Sequence, residues 1–389
     1  AYLSHRYIRL LITLLTVVPP IMPNENQLRD LSTQTLERLE NLVGLNISFN
    51  DFTVIPGQDR RGFTTATPVN KAGRSSYSLV PNVFFSYHGN ASRDNIYRQL
   101  VSQLMTSWAP RFESKSEAVV RHGSSLACGK NTPLIGFVST TLYLHSVGKL
   151  FAGVVHILAN LESLFCVYLF LPKELMSRQD DPIVQHLIGS KARLFPLPQD
   201  NFASAHEFLA SFGLDAIIYT DLGIDPLTYM LSFLRIAPTQ AAFWGNPIPP
   251  QSPSIDYFIL GEHHSVKQRF FQSQVVRLRG IGAYYFQPMI TNQKARKQDV
   301  AQMIYGETGR LLDLGTHNFA LVTQSLCKLH PQFDTTLRSL LLANPALIVI
   351  ITAGKGMLWG NQIWLRLKAL QKLHGPGESW LDRIFILKR

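Results

Sequence analysis

The chain has 389 residues, of which 37 are Lys or Arg and 26 are Asp or Glu, so its formal net charge is +11. Hydrophobic residues make up 46% and charged residues only 16%, which excludes the apolar-poor, highly charged composition of disordered chains. At about 100 to 200 residues per domain, the length predicts two domains with room for a small third. The positive charge is not concentrated in Lys or Arg runs, so it does not indicate nucleic acid binding.

The three cysteines, Cys128, Cys166 and Cys327, are far apart and form no CxxC motif. We therefore expect reduced thiols, with neither a disulfide framework nor a zinc site. Reduced cysteines favour the cytoplasm, or the nucleus, as the location.

No apolar stretch reaches the length of about 20 residues that spans a bilayer, so we expect no membrane segment. The longest are Leu164 to Leu171 and Leu347 to Thr352. Leu10 to Val18 is apolar like part of a signal peptide, but it runs into Pro19-Pro20 without a small-residue cleavage site, and we interpret it as a packed helix.

Residues 1–130 form a predicted helical N-terminal region. Asn24 is a candidate helix cap before a series of leucines at helical spacing. A polar stretch from Asn50 to Ser78 predicts a long loop. An amphipathic helix is then expected between Tyr97 and Trp108.

Short apolar runs alternate with helical patterns over residues 131–288, which predicts a parallel sheet in a first α/β lobe. The predicted strands are Leu134–Val138, Phe165–Phe170, Ala216–Tyr219, Gln240–Trp244, Asp256–Leu260 and Val275–Leu278, with a helix expected at Val266–Phe271. Residues 289–315 lack a strand pattern and are expected to connect two lobes. A second alternation over residues 316–389 gives three strands, fewer than an ordinary sheet has, so we expect an incomplete second lobe.

The loop after the first predicted strand carries His145, directly before a helix. In an open α/β sheet, the loops at the carboxyl ends of the strands face the ligand crevice, so an imidazole here can act on a hydroxyl or a sugar. A histidine that only caps the helix is the alternative.

A second loop, after the strand that ends at Tyr219, carries two carboxylates. Asp225 precedes Pro226 and suits a helix N-cap, which leaves Asp221 as the freer carboxylate. At the end of the next strand, Trp244-Gly245 gives an aromatic face and a close backbone approach, both typical of sugar sites. A core Trp is an equally good interpretation.

Gln324 and Lys328 lie just beyond the first strand of the second alternation. A lysine beside a helix N-terminus suits a diphosphate, because both offset its negative charge. A solvated surface lysine is the alternative.

In these stretches the chain resembles the catalytic region of the O-linked N-acetylglucosamine transferase family, including its SPINDLY-like members. The resemblance covers most of the chain apart from the loop near residues 50–78 and the connection. Its motifs, in chain order, are YHG at Tyr87–Gly89, LHSVGKL at Leu144–Leu150, DLGIDPLTY from Asp221, RIAPTQAAFWGNP ending at Pro247, SIDYF, and QSLCKLHPQFD from Gln324.

The resemblance implies a GT-B-like fold of two Rossmann-like lobes. It implies transfer of a sugar, N-acetylglucosamine first, from a UDP-sugar to Ser or Thr of a protein acceptor, with inversion and without a metal or other cofactor. His145 and Asp221 are then catalytic candidates. Candidates for donor binding are Gln324, Lys328, Trp244, Gly245 and Pro247.

Three departures from the family pattern keep alternatives open. Asn246 and several prolines follow Gly245 in place of the usual small-residue turn, His206 stands too early to match the family's second histidine, and the chain ends before the expected uridine-binding loop. A degenerate homologue that only binds peptide or protein, and an N-glucosyltransferase that acts on Asn, are therefore kept as alternatives. The oligomeric state is not indicated.

Overall fold

The computed structural model describes residues 24–44, 96, 99–100, 102–103, 132–199, 202–246, 251–265, 272–285, 297–310, 317–353, 357–375 and 379–387. The chain divides into two compact units, built mainly from residues 94–289 and 290–389. In the N-terminal region, helix α1 (Glu25–Gly44) is described, and its first turn is capped by Asn24, whose Oδ1 accepts a hydrogen bond from the Gln27 amide. Of the second predicted helix, residues 99, 100, 102 and 103 are helical.

The first unit is an open sheet of seven strands, all parallel, in the order β3-β2-β1-β4-β5-β6-β7. The strands are β1 (Leu134–Val138), β2 (Cys166–Pro172), β3 (Arg193–Leu197), β4 (Ala216–Tyr219), β5 (Thr239–Phe243), β6 (Tyr257–Gly261) and β7 (Gln274–Leu278). The predicted strands are confirmed to within one or two residues at each end. Strand β3 escaped prediction because it contains Pro196, which a sheet tolerates at its edge.

Helices cover both faces of this sheet. They are α2 (Ser146–Asn160), α3 (Lys173–Met176), α4 (Pro182–Ile188), α5 (Phe202–Ala210) and α6 (Pro226–Leu231). On one face, α2 and α4 pack through Val147, Phe151 and Ile183 against alternate residues of β1, β2 and β5. On the other face, α5 and α6 pack against the remaining alternate residues, including Tyr219. Because both faces are covered, the strands are nearly continuous hydrophobic runs, as in other buried parallel sheets.

The second unit contains a parallel sheet of three strands in the order β10-β9-β8. Its elements are α7 (Lys297–Thr308), β8 (Asn318–Val322), α8 (Pro331–Ala343), β9 (Leu347–Thr352), α9 (Met357–His374) and β10 (Ile384–Leu387). Helices α8 and α9 enclose one core with Trp380, while α7 packs through Ile304 against the other face of the sheet. Helix α7 lies in the stretch that was expected to be a plain connection.

Three further sequence-based expectations concern a cysteine, a helix and membrane segments. Cys166 is disulfide-bonded, so the expectation of a reduced thiol is wrong there, and reduced cysteines no longer support a cytoplasmic or nuclear location. The helix predicted at Val266–Phe271 lies outside the described residues. Within the part of the chain that the structure describes, no helix has both the length and the apolar character to cross a bilayer.

Candidate functional site

The strand order of the first unit reverses between β1 and β4, because β2 and β3 lie on one side of β1 and β5 to β7 lie beyond β4. In open α/β sheets, ligands bind at the carboxyl ends of the strands at such a reversal. Strand β1 leads into residues 139–145 and β4 leads into residues 220–225. We call residues 139–145 the His145 loop. The first stretch contains the candidate His145, and the second contains the candidate Asp221.

Asp221 joins these two stretches. Its side chain is fully buried, and its Oδ2 accepts hydrogen bonds from the hydroxyls of Ser139, Thr140 and Thr141 at 3.3, 3.2 and 2.7 Å and from the Thr140 amide at 3.1 Å. Its Oδ1 has no hydrogen-bond partner within the described residues. Burial raises the pKa of Asp221, and the donors from the His145 loop lower it in part.

The sequence predicted that Asp225 caps a helix and that Asp221 is the freer of the two carboxylates. Asp225 does cap α6, since its Oδ1 accepts the Thr228 amide at 3.0 Å, as the Pro226 motif predicted. Burial also raises the pKa of Asp225 to about 6. Asp221, however, is not the more accessible carboxylate. It is fully buried, and its hydrogen bonds hold the His145 loop to the end of β4.

His145 is half-buried and is the N-cap of α2. Its Nδ1 accepts a hydrogen bond from the Val147 amide at 3.3 Å. A ring nitrogen that accepts a hydrogen bond carries no proton, so the neutral imidazole holds its proton on Nε2. The structure therefore shows the helix cap that the sequence offered as one of two alternatives, and this cap leaves the proton of the neutral ring on Nε2.

Sequence reasoning missed Asp181, which is buried at the N-cap of α4. Its Oδ2 accepts the amide of Leu144, the residue directly before His145, at 2.7 Å. The signal in the sequence was an Asp before Pro182, which predicts an N-cap. The contact with Leu144 is between segments that are 37 residues apart, and no local pattern reports it.

Trp244 and Gly245 follow β5, and both have packing roles. The Trp244 indole N–H donates to the Gly282 carbonyl at 3.1 Å, and its ring packs edge-on against Phe151. A Cβ on Gly245 would lie 2.0 Å from the Thr220 carbonyl oxygen, so this position requires a glycine. Pro247, the third candidate of this stretch, lies outside the described residues.

In the second unit, Gln324 and Lys328 lie in the segment between β8 and α8. Gln324 is exposed, and its Oε1 accepts the Ser325 amide. Lys328 is half-buried at the end of a short 3-10 helix, Leu326–Lys328. His330 then caps α8 through Nδ1, which accepts the Gln332 amide at 3.1 Å. The two units therefore share one local arrangement, in which a strand, a polar loop and a histidine N-cap lead into a helix.

The described residues contain no group of three or more His, Cys, Asp or Glu side chains with the geometry of a metal site. His206, which was set against the family's second histidine, lies within α5, and burial lowers its pKa.

A seven-stranded parallel sheet with helices on both faces, and a second parallel α/β unit after it, define the GT-B-like α/β class that was expected. A solved structure supports this fold class: a mutant of the Thermobaculum terrenum O-GlcNAc transferase is similar with a TM-score of 0.53 over 94% of this chain. The two sequences are 16% identical, and the chain spans 61% of that protein's length. At this identity the likeness shows the fold. No protein-family model and no curated protein matches the chain.

Proposed function

We propose that this protein is a glycosyltransferase that moves a sugar from a nucleotide sugar to a protein acceptor. The observation that carries the proposal is the His145 loop, which lies at the reversal of the strand order and which two buried carboxylates hold from both ends. The structural neighbour, an O-GlcNAc transferase, and the motifs around His145, Asp221 and Lys328 support the same class.

The finer proposal is a UDP-sugar donor, N-acetylglucosamine as the sugar, and Ser or Thr as the acceptor. In this reaction the acceptor oxygen bonds to the anomeric carbon while the bond from that carbon to the diphosphate breaks, which inverts the configuration. The hydroxyl proton leaves to water or to the departing diphosphate. Lys328 offsets the charge of the diphosphate, and a fixed cation has this effect without any bound metal.

The proposed role of His145 follows from its tautomer. Because Nδ1 accepts the Val147 amide, the neutral ring presents Nε2–H as a donor. It therefore orients a sugar or acceptor oxygen rather than removing a proton from it. The proposed role of Asp221 is indirect: it holds residues 139–141, in the same loop as His145, in place.

A second candidate function is that of a non-catalytic homologue which binds peptide or protein. Two observations favour it: the Trp244 indole N–H is used on Gly282, and Gly245 is explained by the close Thr220 carbonyl. Two residues expected at the donor are thereby accounted for by packing alone.

The test combines binding and transfer. Titration calorimetry with UDP should show binding, and Lys328→Ala should raise the Kd about tenfold, the loss expected for one charge-assisted contact. Lys372→Ala, which removes an exposed lysine of the same unit, is the matched control and should leave the Kd unchanged.

Mass spectrometry of acceptor peptides incubated with UDP-N-acetylglucosamine or UDP-glucose then identifies the sugar and separates Ser/Thr from Asn linkage. His145→Ala should lower the transfer rate at least tenfold. If UDP does not bind and neither sugar is transferred, the non-catalytic candidate replaces the enzyme.

A further inference from the structure

Asp181 makes more contacts than a helix cap needs. Its Oδ1 accepts the amides of Ile183 and Val184 at 3.0 and 3.2 Å, which completes the first turn of α4. Its Oδ2 accepts the Leu144 amide at 2.7 Å, outside its own helix. All three donors are backbone amides, and the side chain is buried.

Asp225 shows what a cap alone requires. At the start of α6, in the same unit, Oδ1 of its carboxylate accepts the Thr228 amide inside its own helix. Asp181 adds to this pattern a second oxygen that holds another segment of the chain. Both residues are Asp, so the difference between them lies in the geometry of their contacts and not in the residue type.

The segment that carries Asp181 touches the His145 loop at two consecutive residues. Leu144 bonds to Asp181, and the guanidinium of Arg178 lies 4.5 Å from the centre of the Tyr143 ring. Helix α4 in turn packs against α2, the helix that His145 caps, through Ile183 and Leu187. The loop is therefore fixed to α4 immediately before His145, while Asp221 fixes its other end to β4.

We propose that Asp181 is the positioning residue of His145: it sets the backbone before the imidazole and so the direction of Nε2–H. The proposal rests on the function proposed above, because it assigns Asp181 to that reaction. Only a carboxylate fits, since the position needs two acceptor oxygens that point in different directions. An amide side chain has one oxygen and one NH2 group, so Asn at this position meets either Leu144 or the helix amides as donor against donor.

The test is Asp181→Asn in the whole protein, with Asp215→Asn as the matched control. Asp215 also accepts a backbone amide through a carboxylate oxygen, that of Leu134 at 2.8 Å, but at the opposite end of β1. Both variants replace a carboxylate by an amide, but the one oxygen of Asn suffices for the Leu134 amide, so only Asp181→Asn should lose a backbone contact and affect the His145 loop. Asp181→Ser, which keeps one oxygen for the cap, serves if the Asn variant does not fold.

Two measurements decide whether Asp181 positions His145. Hydrogen exchange at the Leu144 amide should become at least tenfold faster in Asp181→Asn and stay unchanged in Asp215→Asn. In peptide glycosylation, kcat should fall about ten- to a hundredfold with KM within about twofold, because misplacement of a reacting group slows the chemical step more than it weakens binding. A purely structural cap would instead lower stability and leave kcat of the folded enzyme unchanged.

The outcomes separate the two proposals. If the wild type transfers sugar and Asp181→Asn retains its kcat, the positioning role is overturned while the enzyme stands. If the wild type transfers no sugar, the proposed function fails, and with it the catalytic part of this inference. The Leu144 exchange rates then still decide whether Asp181 holds the loop.

Discussion

Thr141 Oγ1 donates a hydrogen bond to Asp221 Oδ2 over 2.7 Å, between residues that are 80 positions apart in the chain. This contact and its three neighbours tie the end of β1 to the end of β4, at the point where the sheet reverses its order. The candidate site in the first unit is thus built around a buried carboxylate that holds two segments of the chain together.

Replacement of Asp221 should separate its hydrogen bonds from its charge. Asp221→Ala leaves the buried hydroxyls of Ser139 and Thr141 without their acceptor, so we expect a loss of about 3 kcal/mol in the free energy of unfolding. Asp221→Asn keeps one acceptor oxygen and removes a buried charge, so its loss should be less than half as large. Urea unfolding of both variants measures the difference, and equal losses would contradict this account of the site.

Gly245→Ala should be strongly destabilising. The new Cβ would lie 2.0 Å from the Thr220 carbonyl oxygen, a backbone atom that cannot move aside as a flexible side chain can. Overpacking of this kind costs about 3 kcal/mol. Gly189→Ala is the control, because its Cβ would meet Gln185 O at 3.4 Å, an ordinary contact, and its change should stay within about 0.5 kcal/mol. Thermal unfolding of the two variants side by side tests the contrast.

The stability of the first unit should depend on pH through Asp225. Because burial raises the pKa of Asp225 from 3.8 to about 6, the folded state binds its proton more tightly than the unfolded state does. The stabilisation is present below pH 4 and is lost as the pH rises to 6. Asp225→Asn keeps the cap and does not titrate, so its stability relative to wild type should increase over this range, by at most about 3 kcal/mol. A difference that stays constant from pH 4 to 7 would show that Asp225 does not titrate in this way.

The second unit contains a buried ion pair between α8 and α9. Arg366 Nε and Nη2 donate to Asp334 at 2.6 and 2.8 Å, and both side chains are at least 95% buried. Arg366→Met strands a buried carboxylate and should cost about 3 to 5 kcal/mol. The double variant Arg366→Met/Asp334→Leu should recover most of that loss, because no charge is left unpaired. A double-mutant cycle by chemical denaturation measures the coupling, and additive losses would speak against it.

The sequence predicted those features that depend on neighbouring residues. The strand Leu134–Val138 is a local run of apolar residues, and Asp225 before Pro226 is a local cap, so both could be found without a structure. The position of His145 between a strand and a helix was predicted for the same reason.

Features that depend on contacts across the fold were not predictable from the sequence. The burial of Asp221 depends on the pairing of β1 with β4, and the contact of Asp181 depends on the packing of α4 beside α2. The role of Trp244 depends on Gly282, which is 38 residues away. In each case the residue type was visible, while its hydrogen-bond partner was decided by tertiary packing.

Strand β8 has a consequence for any solution experiment. Within the described residues it pairs on one side, with β9, and Leu321 on it is 61% exposed. Where no further strand covers that edge, it is a template on which chains aggregate at high concentration. Leu321→Lys would place a charge on that edge, the device by which natural proteins keep such edges apart, and should improve the solubility of preparations for calorimetry.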